Sequence, residues 1–386
     1  MGTLFKRESG YWYANYVDHL GQRCRVNTRC RDKSNAQTIL AQLEATTAKR
    51  ATGIIDAGSE ALRDQQAKPI AEHVSDMVQA MQSAGRSAVH VSKTKRYIHQ
   101  ALEYSSCEKL GQLDATSVER YAVHLRKSGL SLRVVQAMIT ACKYFSKWCV
   151  QTGRLGSDPL AYIKKPSPKQ DRRLRRRMLL PKEWSWLKEA TINGPELGGM
   201  TGDERCLLYR VAIETGLRAN ELKSLTKGKL HRGYILVPGS LTKNKKQAKQ
   251  HISDGLDSDL CRLSSRKTAA TPLFSIRDLN RLSDVLRADL ADAKRAYVAA
   301  GRNAGEKIER AEDSFLAVCN DEGEEITFHA LRHTCGAWLA LDGQPVKLIQ
   351  EVMRHSTVEL TIGTYGHLLP MSFERAAAKL GDMLAG

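Results

Sequence analysis

The stretch IKKPSPKQDRRLRRR, residues 163 to 177, sets the first limit on how this chain can fold. It holds eight basic residues, one acidic residue and two prolines, and so carries +7 of the chain's formal +18. Mutual repulsion and proline both oppose a helix or a central strand, so the run reads as an extended basic linker. A chain of 386 residues is also too long for one ordinary core. The expected division is a module at 1–60, a helical domain at 69–163, the linker at 164–178 and a last domain at 179–386.

Sixty Lys and Arg stand against forty-two Asp and Glu, an excess that favours a polyanionic partner, with nucleic acid first. With 42% hydrophobic and 26% charged residues, the composition is that of a soluble globular protein. Nine scattered cysteines never form a Cys-x-x-Cys pair, which argues against both a disulfide framework and a zinc site. No charged-then-apolar leader and no apolar run of about 18 residues is present, so no membrane is expected. The expectation is a bacterial cytoplasmic protein with access to the chromosome.

Thr3 to Lys6, Tyr11 to Val17 and Arg23 to Thr28 alternate as strands do, and Ala36, Ile39, Leu40 and Leu43 then recur at helical spacing behind Ser34, an expected N-cap. A three-stranded sheet with one helix is implied. Its Arg23 and Arg25, beside exposed aromatics, suit a DNA groove, although a packing or dimerisation module has the same texture. From Pro69 to Ile163 four helices are expected near 70–83, 88–105, 115–127 and 132–151, with Asp114 and Ser131 as N-caps and Gly129 and Gly153 as stops. Lys93, Lys95, Arg96, Arg133, Lys143 and Lys147 on them, with Arg126 and Lys127, are candidate phosphate contacts. In the linker, Lys164, Lys165, Arg172, Arg173, Arg175 and Arg176 are candidates for lying along a DNA backbone.

Beyond the linker, residues 204–215 are apolar at helical spacing and end at Thr215-Gly216, which puts Arg218 at the start of a second helix. Gly233 to Pro238 and Gln247 to Ile252 read as a hairpin whose connection carries Lys243, Lys245 and Lys246. His329 and Arg332 lie three apart and share a helix face, with Trp338, Leu339 and Leu341 expected to anchor that helix in the core. His355 and Tyr365 follow, the tyrosine in a short polar segment. The charged stretch 284–311 reads as one or two exposed helices without a functional account.

Arginine, lysine, histidine, arginine, histidine and tyrosine in that order make a cationic cage with one phenol at its end. Such a cage suits a phosphodiester: guanidiniums fork onto non-bridging oxygens while a hydroxyl attacks phosphorus without a metal. The strings TGLRANEL (215–222), TKNKK (242–246), HALRHT (329–334) and RHSTVELTIGTYGH (354–367) together resemble the tyrosine recombinases, or phage integrase family. The match is specific over about 204–370 and departs at Met353-Arg354, where many members have Leu-Gly.

The resemblance implies a multidomain, mainly α protein with small β elements: an N-terminal sheet module, a helical core-binding domain and a mixed α+β catalytic domain. It implies cleavage without metal or cofactor, in which Tyr365 attacks to form a 3′-phosphotyrosyl link. Arg218 and Arg332 would stabilise the growing charge, Lys243 would protonate the leaving 5′ oxygen, His329 would help accept the phenol proton, and His355 would bond a phosphate oxygen. Nearby positive charge is expected to favour the phenolate. The implied partners are double-stranded DNA, a homotetramer on paired sites passing through a Holliday junction, and an accessory DNA-bending or directionality factor. The segment 373–384 reads as an amphipathic helix that docks on a neighbour or on its own domain. An integrase of a phage or other mobile element is the leading reading. A resolvase or invertase of host DNA, a silent DNA-binding protein and a type IB topoisomerase are the alternatives.

Overall fold

The structure is a computed structural model that describes residues 2–53, 57–171, 173, 175–239, 247–369 and 383. The chain divides within the basic run into two compact units, Met1–Arg173 and Leu174–Gly386.

The first unit opens with the antiparallel strands β1 (Thr3–Lys6), β2 (Trp12–Val17) and β3 (Arg23–Asn27), paired in that order. Ala14 on β2 is fully buried against α1 (Lys33–Ala51), which contributes Ala36 and Leu40. Alternation sends Phe5, Tyr13, Asn15 and Arg25 to the opposite face. There Phe5 stacks on Tyr13, and the Arg25 guanidinium lies 5.0 Å from the Phe5 ring while its Nε donates to Asn15 Oδ1. The cap of α1 is Asp32, which accepts from the Asn35 N–H at 2.9 Å, and not Ser34. Both residue types cap well, and the local path of the chain selects the earlier one. A helix that the sequence did not announce, α2 (Ala57–Ala67), follows.

Four helices then enclose a core of Met77, Ile98, Met138 and Phe145: α3 (Ile70–Ser83), α4 (Ala88–Tyr104), α5 (Ala115–Lys127) and α6 (Leu132–Gln151). Asp114 and Ser131 cap α5 and α6, and Gly129 and Gly153 adopt the left-handed backbone that ends a helix. The basic run is not a free spacer. Asp171 accepts from the Leu132 N–H at 2.8 Å, and Arg173 bonds both Asp171 and the Gly129 carbonyl. Its single acidic residue thus fastens part of the run to the start of α6, because a carboxylate satisfies helix N-terminal amides.

The second unit begins with β4 (Arg175–Arg176), paired in parallel with β8 (Glu324–Glu325). Helices α7 (Pro181–Ile192), α8 (Gly202–Thr215), α9 (Ala219–Lys223), α10 (Asp254–Ser264), α11 (Leu282–Ala299) and α12 (Ala304–Glu312) surround the sheet β5 (Leu230–His231), β6 (Tyr234–Val237) and β7 (Ala248–His251). They are followed by α13 (Phe328–Leu341), α14 (Val346–Met353) and α15 (Val358–Tyr365). The charged stretch at 284–311 forms most of α11 and α12 and has a buried role. Asp289, fully enclosed, receives Arg205 through two bonds of 2.9 and 3.0 Å and the Tyr209 hydroxyl at 2.8 Å, tying α11 to α8. The helix α13 is anchored by Ala330, Leu331, Ala337 and Ala340 and by the Trp338 indole donating to the Leu179 carbonyl. Leu341, expected in the core, is 48% exposed: Ala337 and Ala340 take the inward stripe near the end of α13, and Leu341 lies one position further round the helix.

Candidate active site

Two helix ends converge on a third helix in the second unit. The end of α8 turns through Gly216 at φ +59°, the end of α14 turns through Arg354 at φ +49°, and α13 passes both. Arg332 on α13, 4% exposed, joins them by donating Nη1 to the Gly216 carbonyl and Nη2 to the Met353 carbonyl. A planar guanidinium has five N–H groups, so this leaves capacity for an anion. Burial, then Arg218 and Arg354, lowers its pKa to about 10, and it is still charged at neutral pH.

Arg218 caps α9 from a half-exposed position. Its backbone N–H donates to Glu221 Oε2 at 2.7 Å and its Nη1 to Glu221 Oε1 at 3.1 Å. This amide at the start of α9 is therefore already occupied, since Glu221 lies 1% exposed beneath it and needs donors. Arg354 supplies a third donor, Nη2 to Glu221 Oε2 at 2.6 Å.

Tyr365 ends α15, and the site differs most from expectation here. The ring is 3% exposed, packed with Cys335, Ala337, Ala340, Ile349 and Met353. His333 stacks on it at 5.1 Å between centroids and His355 at 6.2 Å. Beneath the ring is Gly336: a methyl there would stand 2.6 Å from the phenol oxygen and closer still to the ring carbons. Burial raises the Tyr365 pKa well above the ordinary phenol, outweighing the pull of Arg332 in the opposite direction. The cations do not make a phenolate in this state, because desolvation of a buried anion exceeds the attraction of one guanidinium already bonded to carbonyls.

His355, half-buried, engages Thr361 Oγ1 through Nδ1 at 2.9 Å, and burial followed by Arg332 and Arg218 lowers its pKa to about 4. His329 keeps an exposed edge. The protein around it, then Arg176, Arg332, Arg218 and His333, also brings it to about 4. Both imidazoles are neutral at pH 7. Arg176 reaches this site because β4 lies beside β8, immediately before α13, and its Nε donates to Thr327 Oγ1 at 3.3 Å. The sequence placed it in the linker only.

The structure thus groups Arg218, His329, Arg332, His355 and Tyr365, with Glu221, Arg354 and Gly336 as additions. Glycine inside an apolar helix costs about 1 kcal/mol relative to alanine, so Gly336 carried a readable hint of a close approach. Lys243, with Lys245 and Lys246, lies outside the described residues, as do Arg172 and the 373–384 helix apart from Met383. In the first unit Arg23, Arg25, Lys93, Lys95, Arg96, Arg133, Lys147, Lys164 and Lys165 are exposed, as is Arg173 with its bonds to Asp171 and Gly129; in the second unit so is Arg175. Lys143 differs: its half-buried ammonium donates to the Ala161 and Ile163 carbonyls at 2.7 and 2.8 Å and fastens the end of the helical unit. Among the described residues, no group of three or more His, Cys, Asp or Glu could hold a metal, and no helix is long and apolar enough to cross a membrane.

Residues 201–371 match the model of the Phage integrase family. A "Tyrosine recombinase XerC-like" protein of Caldanaerobacter subterraneus subsp. tengcongensis is 22% identical over 293 residues, covering 71% of this chain and 72% of its own. Among solved structures, a lambda integrase dimer bound to a COC′ core site superposes with a TM-score of 0.59 at 15% identity, covering 94% of each chain. A lambda integrase tetramer bound to a Holliday junction gives 0.56 at 15% identity, over 92% of this chain and 95% of that one. The likeness extends to the mainly helical, multidomain architecture with its N-terminal three-stranded sheet. Residues 201–371 thus form a phage integrase family domain, and the ordered motifs, the tyrosine recombinase relatives and the lambda integrase fold all agree with it.

Proposed function

We propose that this chain recombines DNA at specific sites by metal-free cleavage and rejoining through a 3′-phosphotyrosine, as the integrase of a phage or other mobile element. The observation that carries the reading is the grouping of one phenol, two guanidiniums and two neutral imidazoles from four separate segments around Tyr365. Tyr365 oxygen attacks the scissile phosphorus as the bond to the 5′ oxygen breaks, and Lys243 protonates the leaving oxygen. Conserving the phosphoester bond in the protein removes any need for ATP. Arg218 and Arg332 meet the charge that grows on the non-bridging oxygens, the electrostatic contribution that commonly dominates phosphoryl transfer.

His329 has the protonation state a base requires, since it is neutral at pH 7. A bound phosphate's negative charge raises its basicity from the resting level, so substrate itself prepares the proton acceptor. The same charge draws on Arg218 and Arg332. Tyr365 must leave its buried position, or lose its proton there, before it can attack.

The sheet face bearing Phe5, Tyr13 and Arg25, with neighbouring Arg23, provides cations and stacking groups for a DNA groove. Lys93, Lys95, Arg96, Arg133, Lys147, Lys164 and Lys165 provide phosphate contacts. A tetramer on paired sites draws support from the lambda integrase tetramer's likeness. The sheet module together with 94% coverage of the lambda integrase chain favours the mobile-element reading over a host resolvase.

The test is a denaturing-gel trap on a nicked suicide duplex spanning the junction of the encoding element. Wild type should form a metal-independent covalent adduct, and Tyr365→Phe should bind equally and form none. Binding without an adduct by wild type would move the chain to the silent DNA-binding reading.

A further inference from the structure

We propose that Arg354, at the position where the family commonly has glycine, is a positioning residue for cleavage: it shares the buried Glu221 carboxylate and so keeps Arg218 available to the scissile phosphate. The inference rests on the recombinase reading above.

The backbone makes the case first. Arg354 ends α14 at φ +49°, ψ +48°, a left-handed conformation that glycine adopts freely and that costs another L-residue about 1–2 kcal/mol. A residue with four rotatable side-chain bonds standing there must return something for the strain. Its side chain turns inward to 9% exposure and bonds Glu221 at 2.6 Å. It also reaches Gln250 Oε1 on β7 at 3.5 Å, while Gln250 Nε2 donates to the Val352 carbonyl. Arg354 therefore joins the end of α14 to the capped start of α9 and to the strand that follows the Lys243 connection.

The charges make the case second. One carboxylate, Glu221, faces three guanidiniums, those of Arg218, Arg332 and Arg354. The group keeps a net positive charge of two, which suits an anionic phosphodiester. Without Arg354, Arg218 would be the one guanidinium still bonded directly to Glu221. A buried carboxylate binds its last partner more tightly, so Arg218 would be drawn toward Glu221 and away from substrate, and the net charge would halve. Glycine at 354 relieves the backbone strain, which separates the loss of the side chain from a loss of fold.

The experiment compares wild type, Arg354→Gly and Arg354→Lys on the nicked junction duplex, measuring single-turnover adduct formation, DNA affinity and melting temperature. Arg354→Gly should still fold and bind the duplex, with a somewhat lower melting temperature from the lost buried pair, and at saturating DNA should cleave about 10–100-fold more slowly, the scale of a misplaced reacting group. Arg354→Lys, which keeps the charge, should recover part of the rate. A duplex with a neutral methylphosphonate at the scissile position should shrink the Arg354→Gly deficit, because the charge Arg218 neutralises is gone; a merely structural defect would persist. Wild-type cleavage by Arg354→Gly, or a deficit of equal size on both duplexes, overturns the inference. Absence of adduct from wild type on a duplex it binds instead overturns the underlying reading.

Discussion

Gly336→Ala should convert a substitution that normally stabilises a helix into one that unseats Tyr365. In α13 the new methyl would stand 2.6 Å from the Tyr365 oxygen, whereas carbon and oxygen atoms pack at about 3.5 Å, so the ring must retreat by about 1 Å or leave. Leaving forfeits the burial of an aromatic ring, about 2 kcal/mol, and the stacks on His333 and His355 at 5.1 and 6.2 Å, about 1 kcal/mol together. Replacing glycine within a helix returns about 1 kcal/mol. The net loss, about 2 kcal/mol, corresponds to a fall of about 4–8 °C in melting temperature for a unit of this size. In a Tyr365→Ala background the seat is empty, and the same methyl should raise the melting temperature by about 2–4 °C. Calorimetry on the four proteins of this cycle checks the sign reversal. Acylation of the phenol by N-acetylimidazole, located by mass spectrometry, should spare Tyr365 in wild type and mark it in Gly336→Ala. Equal shifts in both backgrounds, with Tyr365 still protected in Gly336→Ala, would falsify the buried seat.

Two further outcomes follow from the buried charges. Asp289→Asn strips the fully enclosed Arg205 of its counter-charge and should cost about 3–5 kcal/mol in urea unfolding of the second unit. His355 has a folded pKa of about 4, against about 6.5 in an unfolded chain. Protons therefore bind the unfolded state first: the contribution is intact above pH 6.5 and is lost as pH falls toward 4. Unfolding measured at pH 7 and pH 5 should show that loss in wild type and a smaller one in His355→Asn.

What could be read from the chain alone is what is local. Asp114, Ser131, Gly129 and Gly153 bound their helices because caps and left-handed stops act within a turn of their own residue. Four helices and three strands followed from periodicity, and the spacing of His329 and Arg332 put both on one face. The candidate catalytic group was legible because its residue types stand in the order and spacing that the tyrosine recombinases share. Where two residues of equal capping strength stood two apart, at Asp32 and Ser34, local information did not choose between them.

Features that depend on distant parts of the chain could not be read in this way. Tyr365 stands in a polar-looking segment, yet its environment comes from Gly336, His333 and Met353, so its burial and its raised pKa were hidden from composition. Arg332 finds its carbonyl partners at 216 and 353, and Arg354 finds Glu221 across 133 residues. Arg176 and Lys143 read alike in sequence as surface cations, but one is delivered beside His329 and the other ties down backbone carbonyls. A cation's role depends on which carbonyls, carboxylates and low-dielectric walls surround it, and only the assembled fold brings those together.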